Sequence, residues 1–239
     1  MEQVMADDSI ERRRFLVGAG TAVAASLATE VPTKVEAQSA QPVAVAPERN
    51  AMLVLSATEA DFTAAAVDTI IPADELSPSG SECGIVTFID RQLASAWGGG
   101  AKMYRGGPFM PGKPEQGYQL ALTPREFFQV GVAAANQWSR KTYGKEFDRL
   151  SPADRVSALR AIEQGKAEFV GFSSRDFFVQ LLSITMQGFF SDPIYGGNRD
   201  KASWKMLGFP GLPATYAEKI DEYRDKRYLA PPQSIADFS

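Results

Sequence analysis

Apolar and polar positions along most of this chain follow a helical order. Ser56-Ala57-Thr58-Glu59 has the form of a capping box, in which the Ser hydroxyl and the Glu carboxylate satisfy free N–H groups of a first turn. The helix predicted from it carries Phe62, Ala65, Ala66, Thr69 and Ile70 along one side and stops at Ile71-Pro72, because proline cannot continue the hydrogen-bond ladder. A second helix is predicted from Ile85 to Ala96, with Ile85, Phe88, Ile89, Leu93 and Trp97 recurring at steps of three and four. Thr123-Pro124-Arg125-Glu126 opens a third, with Thr as cap and Pro at the first helical position. Its apolar side reads Phe127, Val130, Gly131, Ala134 and Trp138. Ser151-Pro152-Ala153-Asp154 repeats that opening for a fourth helix, with Val156, Leu159 and Ile162 inward. Ser173-Ser174-Arg175-Asp176 begins a fifth, whose apolar set (Phe177, Phe178, Leu181, Leu182, Ile184, Met186, Phe189, Phe190) is wide enough to predict burial on more than one side.

No stretch of four or more residues alternates as a strand does, and no repeat of solenoid length recurs. The expected architecture is therefore all-α: a single helical domain of about five main helices with long irregular loops, over residues 52–212, followed by a charged tail at 213–239. The longest loop, residues 98–118, is dense in Gly and Pro and is interspersed with Tyr104, Phe109 and Tyr118, with Trp97 at its border. Loops of that length in a compact domain tend to be functional. Its aromatic residues suit an interface anchor, and equally a loop folded over its own core.

The first fifty residues break the helical order. Arg12, Arg13 and Arg14 are followed at once by Phe15 and Leu16, and no residue from Phe15 to Thr29 is charged. That apolar run is too short for a spanning helix of about 20 residues. A basic start, a mild apolar stretch and small residues before Ala28 or Ala37 form an export signal. The pair Arg12-Arg13 with Phe15 and Leu16 resembles a twin-arginine signal, although Glu11 and Val17 stand where Ser or Thr and Lys are usual. Residues 1–37 are therefore read as a Tat-type signal and 38–51, rich in Ala, Pro and Val, as a linker. An anchoring helix is the bland alternative, weakened by Gly18 and Gly20. Gly18-Ala19-Gly20 starts like a dinucleotide fingerprint, but Val23 occupies the third glycine position and no strand precedes it.

Composition narrows the chemistry. The chain has no histidine and one cysteine among 239 residues. It can form no Ser-His-Asp triad, no His-ligated zinc or haem, no CxxC pair and no internal disulfide. A net charge of −4 argues against nucleic acid, whose phosphates need a basic stripe. A folded-cargo address on a chain poor in cofactor ligands points to a cargo that is a partner.

Residues 185–211 carry the most distinctive run. Gly188-Phe189-Phe190 is followed by Asp192-Pro193, then Tyr195-Gly196-Gly197-Asn198-Arg199-Asp200, Trp204 and Gly208-Phe209-Pro210-Gly211. Together with Ile71-Pro72-Ala73-Asp74, Ser77-Pro78 and Phe88-Ile89-Asp90, this run resembles the gluconate 2-dehydrogenase subunit 3 (gamma chain) family, from about residue 56 to 211. Where that family favours Pro-Gly-Ala after the acidic loop, this chain has Pro78-Ser79-Gly80. The resemblance implies a small accessory subunit without catalytic, cofactor-binding or metal-binding residues of its own. It implies as partner a large flavoprotein dehydrogenase subunit of the glucose-methanol-choline type that carries FAD, a multihaem cytochrome c subunit, and a periplasmic complex held at the cytoplasmic membrane. The Tat translocase would then export both chains together.

Read as residues, Tyr195, Gly196, Gly197, Asn198, Arg199, Asp200 and Trp204 are either a partner interface or a self-packed loop with Trp204 in the core. Calcium is a poor fit, because Ser203 and Phe209 fall where an EF-hand loop needs Gly and Glu. Asp74 and Glu75 are read as solvated or capping acids rather than a catalytic pair. Cys83 is either a buried thiol or one that pairs with another subunit. The rival functions are a free-standing periplasmic helical binding or structural protein and, more remotely, an independent enzyme.

Overall fold

The computed structural model describes residues 51–238 apart from Pro111 and Ala214. The export-signal residues Arg12, Arg13, Phe15 and Leu16 and most of the linker lie outside them. Six helices occur among the described residues: α1 (Ala57–Ile70), α2 (Ile85–Ala94), α3 (Pro124–Tyr143), α4 (Pro152–Glu163), α5 (Ser174–Phe190) and the short α6 (Ala202–Leu207). The only β pairing among them is an isolated parallel bridge between Gly211 and Gln233. The expected all-α architecture is what the chain adopts.

The caps act as their residue types require. Ser56 and Thr123 each close a full capping box, with Glu59 and Glu126 reaching back to the cap N–H groups. Ser151 and Ser173 accept first-turn N–H groups of α4 and α5. Gly144 ends α3 in the left-handed region at φ 74°.

Helices α1 and α5 each pack against α2, α3 and α4. Their meeting ground is aromatic. Phe62 of α1 lies 4.9 Å from Phe147 and 6.1 Å from Phe177 of α5, and Phe128 of α3 lies 6.0 Å from Phe177. All four rings are fully buried, and each contributes about 1.5–3 kcal/mol by leaving water.

The inward faces differ in detail from the predicted ones. Helix α2 ends at Ala94, and Trp97 points to solvent instead of extending its apolar face. On α3 the buried line is Phe127, Phe128, Gly131, Val132, Ala135, Asn136 and Ser139, so Val130 is exposed and the face is rotated from the predicted one. The rotation has a polar cause: Asn136 Oδ1 accepts the Phe147 N–H at 3.1 Å and Ser139 Oγ donates to the Lys145 carbonyl at 2.8 Å. These bonds fasten the turn after α3, and a hydrophobicity count scores both residues as outward. On α4, Ala158 takes the inward place expected of Val156. Helix α5 is buried along Phe177, Leu181, Ile184, Thr185, Gly188 and Phe189, while Met186 and Phe190 remain exposed.

Residues 213–238, read from the sequence as a charged tail, return to the body. Leu212 N–H donates to the Gln233 carbonyl and Gln233 N–H to the Pro210 carbonyl, at 2.9 and 3.0 Å. Ser234 is buried behind them. No helix among the described residues is long and apolar enough to cross a membrane.

Candidate partner-binding site

The run from Gly188 to Gly211 is a loop built against two others. Helix α5 stops at Ser191, whose Oγ donates to the Gly188 carbonyl at 3.1 Å. Asp192 then accepts two N–H groups, from Ile194 at 3.0 Å and from Ile235 of the returning C-terminal segment at 2.9 Å. A single 3-10 turn, Pro193–Tyr195, leads to Gly196 at φ 100°. Gly84 at φ 81° faces the Gly196 carbonyl so closely that a Cβ at position 84 would overlap that oxygen.

Asn198 is the centre of the loop. It is fully buried, its Nδ2 donates to the Ser191 carbonyl at 2.9 Å, and its Oδ1 accepts from both the N–H and the Oγ of Ser203 at 3.0 and 2.8 Å. Arg199 stitches the loop to the segment around the lone cysteine. Its N–H donates to the Cys83 carbonyl at 2.9 Å and its Nη1 to the Glu82 carbonyl at 3.2 Å. Asn198, Asp200 and Lys201 all adopt positive φ, at 45°, 56° and 58°. Left-handed backbone at three non-glycine residues costs roughly 1–2 kcal/mol at each, least for Asn and Asp. The bonds of Asn198 and an ion pair from Lys201 Nζ to Asp237 at 2.5 Å hold the strained path. The Lys201 ammonium, with the Ser234 N–H, keeps the Asp237 carboxyl below its usual pKa.

Trp204 of α6 is buried, with its Nε1 donating to the Phe190 carbonyl at 3.0 Å. The predicted site residues therefore divide by depth. Gly197, Asn198 and Trp204 fix the loop from inside, Gly196 is half-buried, and Tyr195, Arg199 and Asp200 stand at the surface. The structure brings all seven together in one loop-and-helix unit.

The Gly/Pro loop forms a separate feature. Tyr118 stacks on Phe127 with centroids 3.9 Å apart and donates to the Leu122 carbonyl, and burial with Glu126 nearby pushes its phenol up to about 12. Trp97 and Phe109 line a cavity of about 800 Å³ between this loop and α5, and Tyr104 is largely exposed. Asp74 serves as a local turn cap, its Oδ1 accepting the N–H groups of Leu76 and Ser77, in keeping with a capping role. No group of three or more His, Cys, Asp or Glu is arranged to hold a metal ion among the described residues.

Sequence reasoning passed over Asp90 as a structural anchor. It is buried on α2, and its carboxylate accepts the N–H groups of Leu53, Val54 and Leu55 at 2.6, 3.0 and 3.0 Å. The signal was present: an acid on the inward side of an apolar helix face.

Comparison of the sequence with protein families now bears on this geometry. The sequence model of gluconate 2-dehydrogenase subunit 3 matches residues 57–211, the span that holds all six helices. The chain belongs to the gluconate 2-dehydrogenase subunit 3 family. Comparisons with curated proteins and with solved structures gave no match. Members of the subunit 3 family are components of a multi-subunit dehydrogenase complex, so this chain is a subunit and needs a surface for its neighbour. The matched span ends at Gly211, inside the loop unit just described.

Cys83 is poorly placed to be that link. Its side chain is buried, its Sγ donates to the Pro78 carbonyl at 3.5 Å, and burial, with Glu82 nearby, raises its thiol pKa. Burial thus disfavours the thiolate, which is the reactive form. Iodoacetamide at pH 8 is expected to label Cys83 in the native chain at least about tenfold more slowly than in denaturant. A reductant-sensitive band shift of the native complex on a gel would contradict this.

Proposed function

We propose that this chain is the non-catalytic small subunit of a periplasmic, membrane-associated, flavin-dependent sugar or sugar-acid dehydrogenase. It escorts the folded catalytic subunit through the Tat pathway and stabilises it. The observation that carries this reading is the family match over the whole helical body. Two features of the sequence support it: the Arg12-Arg13 pair with Phe15 and Leu16, and the scarcity of residues that could do redox or acid-base chemistry. FAD belongs to the large subunit of glucose-methanol-choline type, and a multihaem cytochrome c subunit takes the electrons onward. No residue of this chain is assigned to either group.

The test is export of the partner. Replacing Arg12 and Arg13 with lysine keeps the charge but removes the twin-arginine recognition. The flavoprotein, followed by flavin fluorescence and immunoblotting of cell fractions, is expected to remain almost wholly in the cytoplasm. A flavoprotein that still reaches the periplasm in that variant sinks the escort role.

A further inference from the structure

Single exposed apolar residues are ordinary on any protein surface. Five of them, however, come from three stretches that are bonded to one another. Phe190 closes α5, Ile194 and Tyr195 stand on the following turn, Phe209 follows α6, and Phe238 comes from the C-terminal segment. The bonds described above set their positions. The Pro193–Tyr195 turn packs on the turn Ile235–Phe238, with Asp192 bonded to Ile235 N–H. The Phe209 ring stands edge-on to Trp204 at 5.2 Å, and Trp204 reaches the Phe190 carbonyl. All five side chains are between 37% and 69% exposed, Phe238 the most.

The exposed parts of these five residues come to on the order of 500 Å² of largely apolar surface, within the roughly 300–600 Å² of a monomer's largest patch, which is often functional. A stable protein interface takes about 800 Å² from each partner, so the patch would form its centre. Aromatic anchors surrounded by polar residues are the anatomy of such a centre. The surrounding charges are of both signs, Asp192, Asp200 and Asp237 beside Lys201 and Lys205. An anionic membrane surface calls for a basic rim instead, so the mixture favours a protein. The backbone under the patch is already ordered by Asn198, which lowers the entropy lost on docking.

We propose that this patch, completed by Phe238 of the C-terminal segment, is the docking face for the large flavin-carrying subunit. The inference rests on the functional reading above. Phe190, Ile194, Tyr195 and Phe209 lie within the family-matched span, whereas Phe238 lies beyond its end at Gly211. The first four thus come from the span that the family model matches, and the strap adds a side chain from outside it. A subunit of a complex must bury some face against its neighbour, and this face is built jointly by family-matched residues and the returning strap.

The test uses the full chain, co-expressed with its large subunit and recovered through a tag on the small one. Capture is read as flavin absorbance per mole of small subunit, and affinity from dilution of the complex. Phe238→Ser alone is expected to weaken capture at least about threefold, and Phe209→Ser with Phe238→Ser at least about tenfold. Val170→Ser, which removes an exposed apolar side chain elsewhere in the sequence, is expected to change it less than about twofold. Circular dichroism and Tm confirm folding, and Phe238→Ser, the most exposed position of the patch, keeps the test valid if Phe209→Ser perturbs α6. Capture undiminished in the double variant overturns the proposal, also where the variants dissolve a dimer of the small subunit and so assign the face to a second copy. A wild-type chain that captures no flavoprotein overturns the functional reading and this inference with it.

Discussion

Replacing Asp90 with alanine is expected to cost the folded chain about 3–4 kcal/mol, a drop of roughly 10 °C in Tm for a chain of this length. The magnitude follows from what the carboxylate does. Three consecutive N–H groups, those of Leu53, Val54 and Leu55, converge on it at 2.6–3.0 Å. Hydrogen bonds to a charged acceptor contribute about 1.5–3 kcal/mol each, and removing the acceptor leaves partly buried donors unsatisfied. Water recovers some of that loss where the lead-in segment meets solvent, which keeps the total below the sum of three bonds. The asparagine variant separates charge from geometry. Its single carbonyl oxygen can replace Oδ1, which takes two of the three bonds, while the place of Oδ2 becomes an NH₂ facing the Leu53 N–H. Asp90→Asn is therefore expected to cost about 1–2 kcal/mol, between wild type and alanine. Urea melts followed by circular dichroism give both values. An alanine variant within about 1 kcal/mol of wild type would mean that the approach to α1 is held chiefly by Leu55 in the core rather than by the carboxylate.

The same residue shows where the sequence was legible and where it was not. Helix starts were plain, because Ser56, Thr123, Ser151 and Ser173 cap through local bonds that a four-residue string encodes. The existence of α1 to α5 followed from apolar spacing. The exact inward faces did not, because Asp90, Asn136 and Ser139 are polar residues turned inward by backbone groups distant in sequence. A count of hydrophobicity places such residues outside and so turns the predicted face away from them. The loop at 195–204 was legible as a unit, but not its layering: only the fold places Asn198 beneath Arg199 and sets Trp204 under the Phe190 carbonyl. The return of the C-terminal segment was invisible, since it depends on two backbone bonds at Gln233, on Asp192 accepting from Ile235 and on a single ion pair, Lys201 with Asp237. None of these needs a distinctive side-chain pattern in the strap itself. The candidate docking face is therefore the feature least readable from the sequence, because half of its construction is backbone.

The second large effect is expected at Gly131, and there two opposite terms must be weighed. Glycine inside a helix is unfavourable, so alanine at position 131 of α3 should gain about 1 kcal/mol from helix propensity alone. Against this, the added Cβ would fall inside the Phe177 ring of α5. The ring has little room to retreat: it lies 6.0–6.2 Å from Phe62, Phe128 and Phe169, and it is fully buried. Overpacking of a tight core costs about 1–3 kcal/mol, and a clash with a ring held on several sides belongs at the upper end. The net expectation is a loss of about 2 kcal/mol, or roughly 4–8 °C in Tm, with valine at the same position costing more. The mechanism is tested by shrinking the obstacle. Phe177→Leu alone should destabilise, since it leaves a void beside Phe62. Combined with Gly131→Ala it should cost about 1 kcal/mol less than the two single losses added, because the methyl group then enters space the ring has left. Strict additivity would show that the close approach of α3 and α5 at this glycine does not set their spacing. That spacing matters beyond stability, because α5 ends at Phe190 and carries the 192–204 loop from its C-terminal turn. A shift of α5 away from α3 should therefore weaken capture of the large subunit even at temperatures where Gly131→Ala remains folded, and capture equal to wild type at those temperatures would confine the effect to the core.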